Sequence, residues 1–353
     1  MVVIMINLSF LITMITNIKG LIIALLGLGF LVFIHELGHF LFCKLFSVPA
    51  PFFAIGVGPK IYKKTYKGTE FSIGILPVAG YVQIGDNIDG DQSILNKYSY
   101  HKGLFVLLGG IIYNIIFTFI VCIGLSLSQT YQTSILGNFF KDPIVVNIKD
   151  PHLAGKIYEG DRIILCNNKT ITTPYEVAEQ INNTTTTLVF LHNEETVSLE
   201  LDSEKLLNKE YFKIQSSVNI CTSYFEKITD GFTVGITLLK ATAHGLISIF
   251  SKKNIKRVSG FLGILKGTST AAEGGFYNFL AFLALLSINL ALFNLLPLPI
   301  LDGGQIILLT IAKVIRRELS ETFQSILMYG SFLIMGLLML FSTYNDVLKI
   351  FFK

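Results

Sequence analysis

Charged residues make up only 15% of this 353-residue chain, against 52% hydrophobic ones. So small a polar complement excludes an ordinary water-soluble protein with exposed loops, and the mean hydropathy of +0.61 points to membrane embedding. Cysteine is scarce as well. Cys43, Cys122, Cys166 and Cys221 form no C-x-x-C pair, which argues against a thiolate metal site. Cys166 and Cys221 share one polar stretch, where a single disulfide stays open. The leading apolar run, 1–18, has no basic front and no evident small-residue cleavage site, so a cleaved signal peptide is not expected. It could be a leader, an extension of the first helix, or an overlong start with Met14 as initiator.

What is abundant is uncharged sequence of spanning length. Stretches 20–34 (continuing through "FLVFIHELGHFLF", 30–42), 104–127, 276–301 and 326–345 each reach about 20 residues, enough for a hydrocarbon core of roughly 30 Å. The net charge of +4 hides a partition. Residues 128–225 hold 8 basic and 12 acidic side chains, a net of −4, which leaves 20 basic and 12 acidic elsewhere, a net of +8. An acidic, water-exposed insert in a basic membrane protein fits this pattern, and a nucleic-acid binder does not.

Loop 43–103 carries seven lysines, and the short loop after the third span carries Lys313, Arg316 and Arg317. The positive-inside rule places both loops in the cytoplasm, with both termini and the insert outside. Segment 231–250 is nearly long enough to span, but Lys240 and His244 sit in its middle and "SKKNIKR" follows. It is expected to lie on the outer membrane face.

His35-Glu36-Leu37-Gly38-His39 is an HExxH pattern within the first span. On a helix, positions i and i+4 share a face, so both imidazoles can meet one Zn²⁺ while Glu36 reaches its water as general base. Two buried structural histidines are the plainer alternative, but they would leave three polar groups to be satisfied in lipid. A catalytic zinc wants a third protein ligand. The candidate is Asp302 in "NLLPLPILDGG", 294–304; alone it would read as a turn aspartate. With 231–250 on the surface, spans one and three run the same way, so their C-terminal ends share a depth. Pro297 and Pro299 block helical continuation, and irregular backbone at that depth suits a polar cavity. Asn289 and Asn294 could hold a substrate backbone or bond between helices.

HExxH in the first span with "LDGG" closing a later one resembles the site-2 proteases, and "NLLPLPILDGG" is similar to the bacterial RseP branch. The resemblance covers nearly the whole chain. It implies a polytopic α-helical membrane protein with four transmembrane helices, a membrane-re-entrant β region and one inserted PDZ domain. "FAIGVGPKI" (53–61) and "GTEFSIGILPVAGYVQIGD" (68–86) correspond to the β region, and their alternation with Gly-Pro punctuation also reads unaided as hairpin strands. The resemblance further implies intramembrane zinc metallopeptidase activity, with His35, His39 and Asp302 as ligands of one catalytic Zn²⁺, Glu36 as acid/base, and Asn289 and Asn294 as substrate contacts. The hairpin over 74–84 is a candidate edge strand for an unwound substrate, which adds Gly80 and Tyr81 as contacts. "DPHLAGKIYEGDRIILCNNKTI" (150–171) resembles PDZ domains, with Lys156 where those usually have glycine; peptide binding and a steric role both stay open. "IVVNI", "RIILC", "TLVFL" and a helix over 175–182 fit that fold. "GGIIYN" (109–114) departs from relatives in having Ile111 where proline is common, and "VSGFLGI" (258–264) has Phe261 in a similar place.

The expected organisation is an N-terminal extension (1–19), a membrane half with HExxH and β-hairpins (20–127), a periplasmic PDZ-like domain (128–225), an interfacial amphipathic segment (226–275) and the last two spans (276–353). Expected partners are membrane lipid and single-span membrane substrates, anti-sigma factors or remnant signal peptides, after an upstream site-1-type protease; nucleic acid is not expected. The expected location is the bacterial inner membrane, with the active site toward the cytoplasm. Two other classes stay in view: a membrane-anchored peptidase acting on soluble chains, and a non-enzymatic PDZ scaffold.

Overall fold

The computed structural model describes residues 8–85, 98–128, 135–140, 142–181, 184–216, 223–249, 260–317 and 319–351. In chain order its elements are α1 (Leu8–Leu45), β1 (Phe52–Tyr66), β2 (Thr69–Val82), α2 (Tyr100–Ser128), β3 (Pro143–Val146), β4 (Arg162–Cys166) and β5 (Lys169–Thr170). Then follow α3 (Pro174–Gln180), β6 (Thr185–His192), β7 (Glu195–Asp202), α4 (Ser203–Leu207), β8 (Lys213–Ser216), α5 (Tyr224–Ile249), α6 (Phe261–Glu273), α7 (Phe276–Asn294), α8 (Asp302–Ile315) and α9 (Glu321–Phe351). They form two compact units, Met1–Ile120 with Leu239–Lys353, and Val121–Leu238.

Among the described residues, four helices are long and apolar enough to cross a membrane: Ile18–Leu45 of α1, α2, α7, and Glu321–Asp346 of α9. They match the four stretches expected, with one difference. The third ends at Asn294 rather than 301, because Pro297 and Pro299 cannot supply helical N–H donors. The chain there makes tight turns, Leu298 N–H to Leu296 O at 2.8 Å and Leu301 N–H to Leu298 O at 2.7 Å, before α8 begins. Helix α1 runs unbroken from Leu8 through Lys19-Gly20, so the described part of the leading run extends the first helix. It ends where Ser47 turns left-handed (φ 57°) ahead of Pro49 and Pro51.

The first unit packs by close helix contact at glycines. A Cβ on Gly27 of α1 would fall 2.8 Å from the Phe279 ring of α7, and one on Gly267 of α6 would fall 2.8 Å from the Phe282 ring. Gly20 sits against Ser269 of α6, and α6 meets α9 where the Gly263 N–H donates to Asp346 Oδ2 at 2.8 Å. Small residues permit such approaches in lipid, where packing replaces the hydrophobic effect as the driving force.

Strands β1 and β2 are joined at Lys67-Gly68, both with positive φ (45° and 78°), the geometry of a two-residue type I′ hairpin turn. The ladder doubles back on itself. Residues 53–55 pair with 71–73 and also with 80–82, so Gly80-Tyr81-Val82 lies beside Ala54 on the other flank from Ser72. Thr69 Oγ1 fixes the hairpin to the end of α1 by donating to Ala50 O (2.7 Å) and accepting from Lys44 Nζ (2.9 Å).

The second unit is built on an antiparallel sheet in the order β7-β6-β4-β3-β8, with β5 on β4. Its core joins Val145, Ile163, Cys166, Leu188 and Phe190 from the strands to Val177 of α3 and Phe212. A capping box starts α3, Thr173 Oγ1 accepting from the Glu176 N–H (3.3 Å) while the Glu176 carboxylate accepts from the Thr173 N–H. In the Glu-Gly-Asp turn, buried Asp161 accepts from the Tyr158 N–H (2.8 Å) and pairs with His192 Nδ1 (2.5 Å). Cys166 is fully buried here; Cys221 lies outside the described residues, as does the basic run 251–257. Helix α5 starts at Tyr224, ahead of the expected 231–250 segment, and is not among the spanning candidates. Its buried Gly231, Val234, Gly235 and Leu238 form one face, and Gly231 lies against the Ile123 backbone of α2.

Candidate metal centre

His35 and His39 lie one turn apart on α1 and are 8% and 5% exposed. Asp302 reaches them from the first turn of α8, Oδ2 standing 3.2 Å from His35 Nε2 and 3.5 Å from His39 Nε2, with the two Nε2 atoms 3.2 Å apart. These three form the cluster able to hold a metal ion among the described residues. Three edges of nearly equal length are a chemical signature. Bonds of about 2.0–2.1 Å meeting tetrahedrally put ligand atoms about 3.3 Å apart, so the triangle fits Zn²⁺. The donor set fits too. Asp302 Oδ2 is buried without a hydrogen-bond donor, an expensive state that a cation would relieve.

The helix opposite carries the support. Positions 106, 110 and 114 of α2 are four residues apart and therefore share a face. His39 Nδ1–H donates to the Val106 carbonyl at 2.8 Å, which fixes the tautomer with a bare Nε2. Gly110 makes room for the rings: a Cβ there would lie 2.5 Å from His35 Cε1 and 2.6 Å from His39 Nε2. The Asn114 carboxamide lies 3.1 Å from His35 Nδ1. Asn114 also ties α2 to α7, its carbonyl O accepting from Ser287 Oγ at 3.0 Å.

Asp302 owes its place to its neighbours. A Cβ on Gly303 would strike Leu295 O, and one on Gly304 would strike Leu298 O, so only the Gly-Gly pair lets α8 start hard against the preceding turn. Gln305 Nε2 donates to Pro299 O and closes that turn. Sequence reasoning placed Asp302 at the end of the third span as the third ligand and missed the helix α8 that carries it; the apolar positions 308, 309 and 312 that α8 buries were the available signal.

Glu36 projects beneath the β hairpin. Its Cγ would lie 3.2 Å from a Cβ on Gly80, and the Val82 N–H is within reach of its carboxylate. Gly80 is thus at the centre, while Tyr81 is half exposed. Asn289 donates to Leu285 O of its own helix at 2.7 Å, and Asn294 is the last, partly buried residue of α7. Sequence reasoning missed Val106 and Gly110 as supports, and noted Asn114 only as part of a variant motif.

The family model of peptidase family M50 matches residues 23–338. Similar proteins include one from Fusobacterium nucleatum, 30% identical over 350 residues, covering 94% of this chain and 99% of that one. Another, from Clostridium perfringens, is 30% identical over 342 residues (93% and 98%), and a third, from Clostridium acetobutylicum, is 29% identical over 344 (93% and 97%). All three bear the name "Putative zinc metalloprotease". A matched length spanning nearly the entire chain, four apolar helices and a tetrahedral triangle of two imidazoles and a carboxylate agree with one another. This chain belongs to peptidase family M50, the site-2 protease family, and is a membrane zinc metalloprotease.

Proposed function

We propose that this protein cleaves peptide bonds within transmembrane segments of other membrane proteins, with His35, His39 and Asp302 holding the zinc and Glu36 moving the proton. The observation that carries the reading is the burial of the donor triangle along an apolar helix of spanning length. A peptidase acting on soluble chains would keep HExxH in a water-facing domain.

Zinc, when bound, supplies Lewis acidity toward a water and the scissile carbonyl. Glu36 takes the proton of the attacking water and returns it to the leaving amide nitrogen as the C–N bond breaks. A helical peptide bond is hidden and fully hydrogen-bonded, so the substrate segment unwinds before it reacts. Segment 80–82 pairs with 53–55 along one edge and runs past Glu36, which suits it to take an unwound chain as an added strand. Asn289 and Asn294 would hold that chain from α7, Asn289 by releasing its bond to Leu285 O.

The β-rich unit serves as a periplasmic PDZ-like domain, a reading supported by its antiparallel sheet, the capped α3 and the Asp161 turn. The β hairpin dips into the bilayer, and α5 lies on its outer face. The basic loops orient the site toward the cytoplasmic side of the bacterial inner membrane. Substrates of this geometry are single-span proteins trimmed beforehand by another protease, such as anti-sigma factors, or remnant signal peptides. The test is to reconstitute the protein in liposomes with a single-span substrate and, separately, with its soluble domain. Cleavage within the span alone is expected; cleavage of the soluble domain alone would overturn the proposal.

A further inference from the structure

The Asn114 side chain makes one described hydrogen-bonding approach, to His35 Nδ1 at 3.1 Å. Asn114 is fully buried, and its Oδ1 has no partner as the amide is drawn with Nδ2 toward the ring. A carboxamide keeps its shape when Oδ1 and Nδ2 exchange places, so the orientation follows from the hydrogen-bond network. With Nδ2 toward the ring, His35 Nδ1 must accept. The ring proton then sits on Nε2, which faces Asp302 and His39 and would have no lone pair for a cation. With Oδ1 toward the ring, Nδ1–H donates to Oδ1, and Nε2 presents a bare lone pair to the triangle.

We propose that Asn114 is a positioning residue for the metal, its Oδ1 accepting the His35 Nδ1 proton and so fixing the ligand tautomer, as the Val106 carbonyl does for His39. One stripe of α2 then serves both histidines, through a carbonyl at 106, a gap at 110 and an amide at 114. The bonds from Ser287 Oγ and Thr118 Oγ1 go to the Asn114 backbone oxygen, which any residue at this position retains. The tie to α7 therefore does not require the amide, and its remaining role is at His35. The inference rests on His35 being a zinc ligand.

The test measures zinc retention by full-length protein in detergent, by competition with a chelator, for Asn114→Leu and Asn114→Asp. Leucine has similar volume and accepts nothing; aspartate keeps an oxygen in place. Expected is a 10–100-fold loss of zinc affinity in Asn114→Leu, the usual effect of removing a partner behind a metal-bound histidine, and near wild-type affinity in Asn114→Asp. Cobalt-substituted Asn114→Asp should keep the visible spectrum of a tetrahedral site. Wild-type affinity in Asn114→Leu would overturn the proposal. If Asn114→Leu does not fold, Asn114→Asp decides: a tenfold or greater loss in a folded protein would overturn it equally. His35→Ala separates this inference from its premise, because zinc retained in that variant refutes the ligand reading itself.

Discussion

Gly38 of α1 and Gly109 of α2 touch backbone to backbone: a Cβ on Gly109 would fall 2.7 Å from the Gly38 carbonyl oxygen. The glycine inside HExxH is therefore a contact point between helices. It brings α2 close enough for a main-chain carbonyl to reach His39 and for Gly110 to clear both rings.

Gly110→Ala should disturb the centre more than its single methyl suggests. The added carbon would press on ring atoms of both histidines, and overpacking of this kind costs about 1–3 kcal/mol. The expected outcome is a protein that inserts and folds with a lowered melting temperature and a zinc content well below one per chain.

Gly304→Ala should displace Asp302 without touching it. Its Cβ would run into the Leu298–Pro299 backbone, which has no flexible end to yield, so the first turn of α8 must move. Zinc affinity should fall, and Gly304→Ser should behave no better, since the clash is at Cβ.

Glu36→Gln should keep zinc and lose cleavage. The change preserves shape and leaves the donor triangle intact while removing the group that carries the proton, for which a 10²–10⁴-fold loss of rate is usual. Single-turnover cleavage and metal analysis on the same preparation check both halves. His39→Ala and Asp302→Ala should instead lose the metal.

Cys166 should resist alkylation. Burial in the core of the β-rich unit pushes its thiol up to about 11, so at pH 8 about a thousandth is thiolate, and no solvent reaches the sulfur. Iodoacetamide labelling at pH 8 should be slow in the folded protein and fast in denaturant; rapid labelling of the native form would contradict the described packing.

Much of this was legible beforehand because hydrocarbon punishes polar residues. His35, Glu36 and His39 stand out in an apolar helix, and Asp302 stands out after a proline-broken one. The spans emerged from length alone. Helix α8 did not, because at 14 residues it is too short to span and its basic end looks like a loop between spans, whereas its buried face needs the turn at 295–301 to exist. The doubled pairing of residues 53–55 was equally hidden: alternation marks a strand but not its neighbours. The support from Val106 could not be read at all, since a main-chain carbonyl leaves no trace in side-chain identity.

The histidines belong to the opening helix of the chain and the aspartate to one of the last. On the ribosome, a growing polypeptide would thus carry two imidazoles for most of its synthesis with nothing to complete them. On the proposed ligand set, the donor triangle is complete only once Asp302 has been made and α8 has docked beside α1.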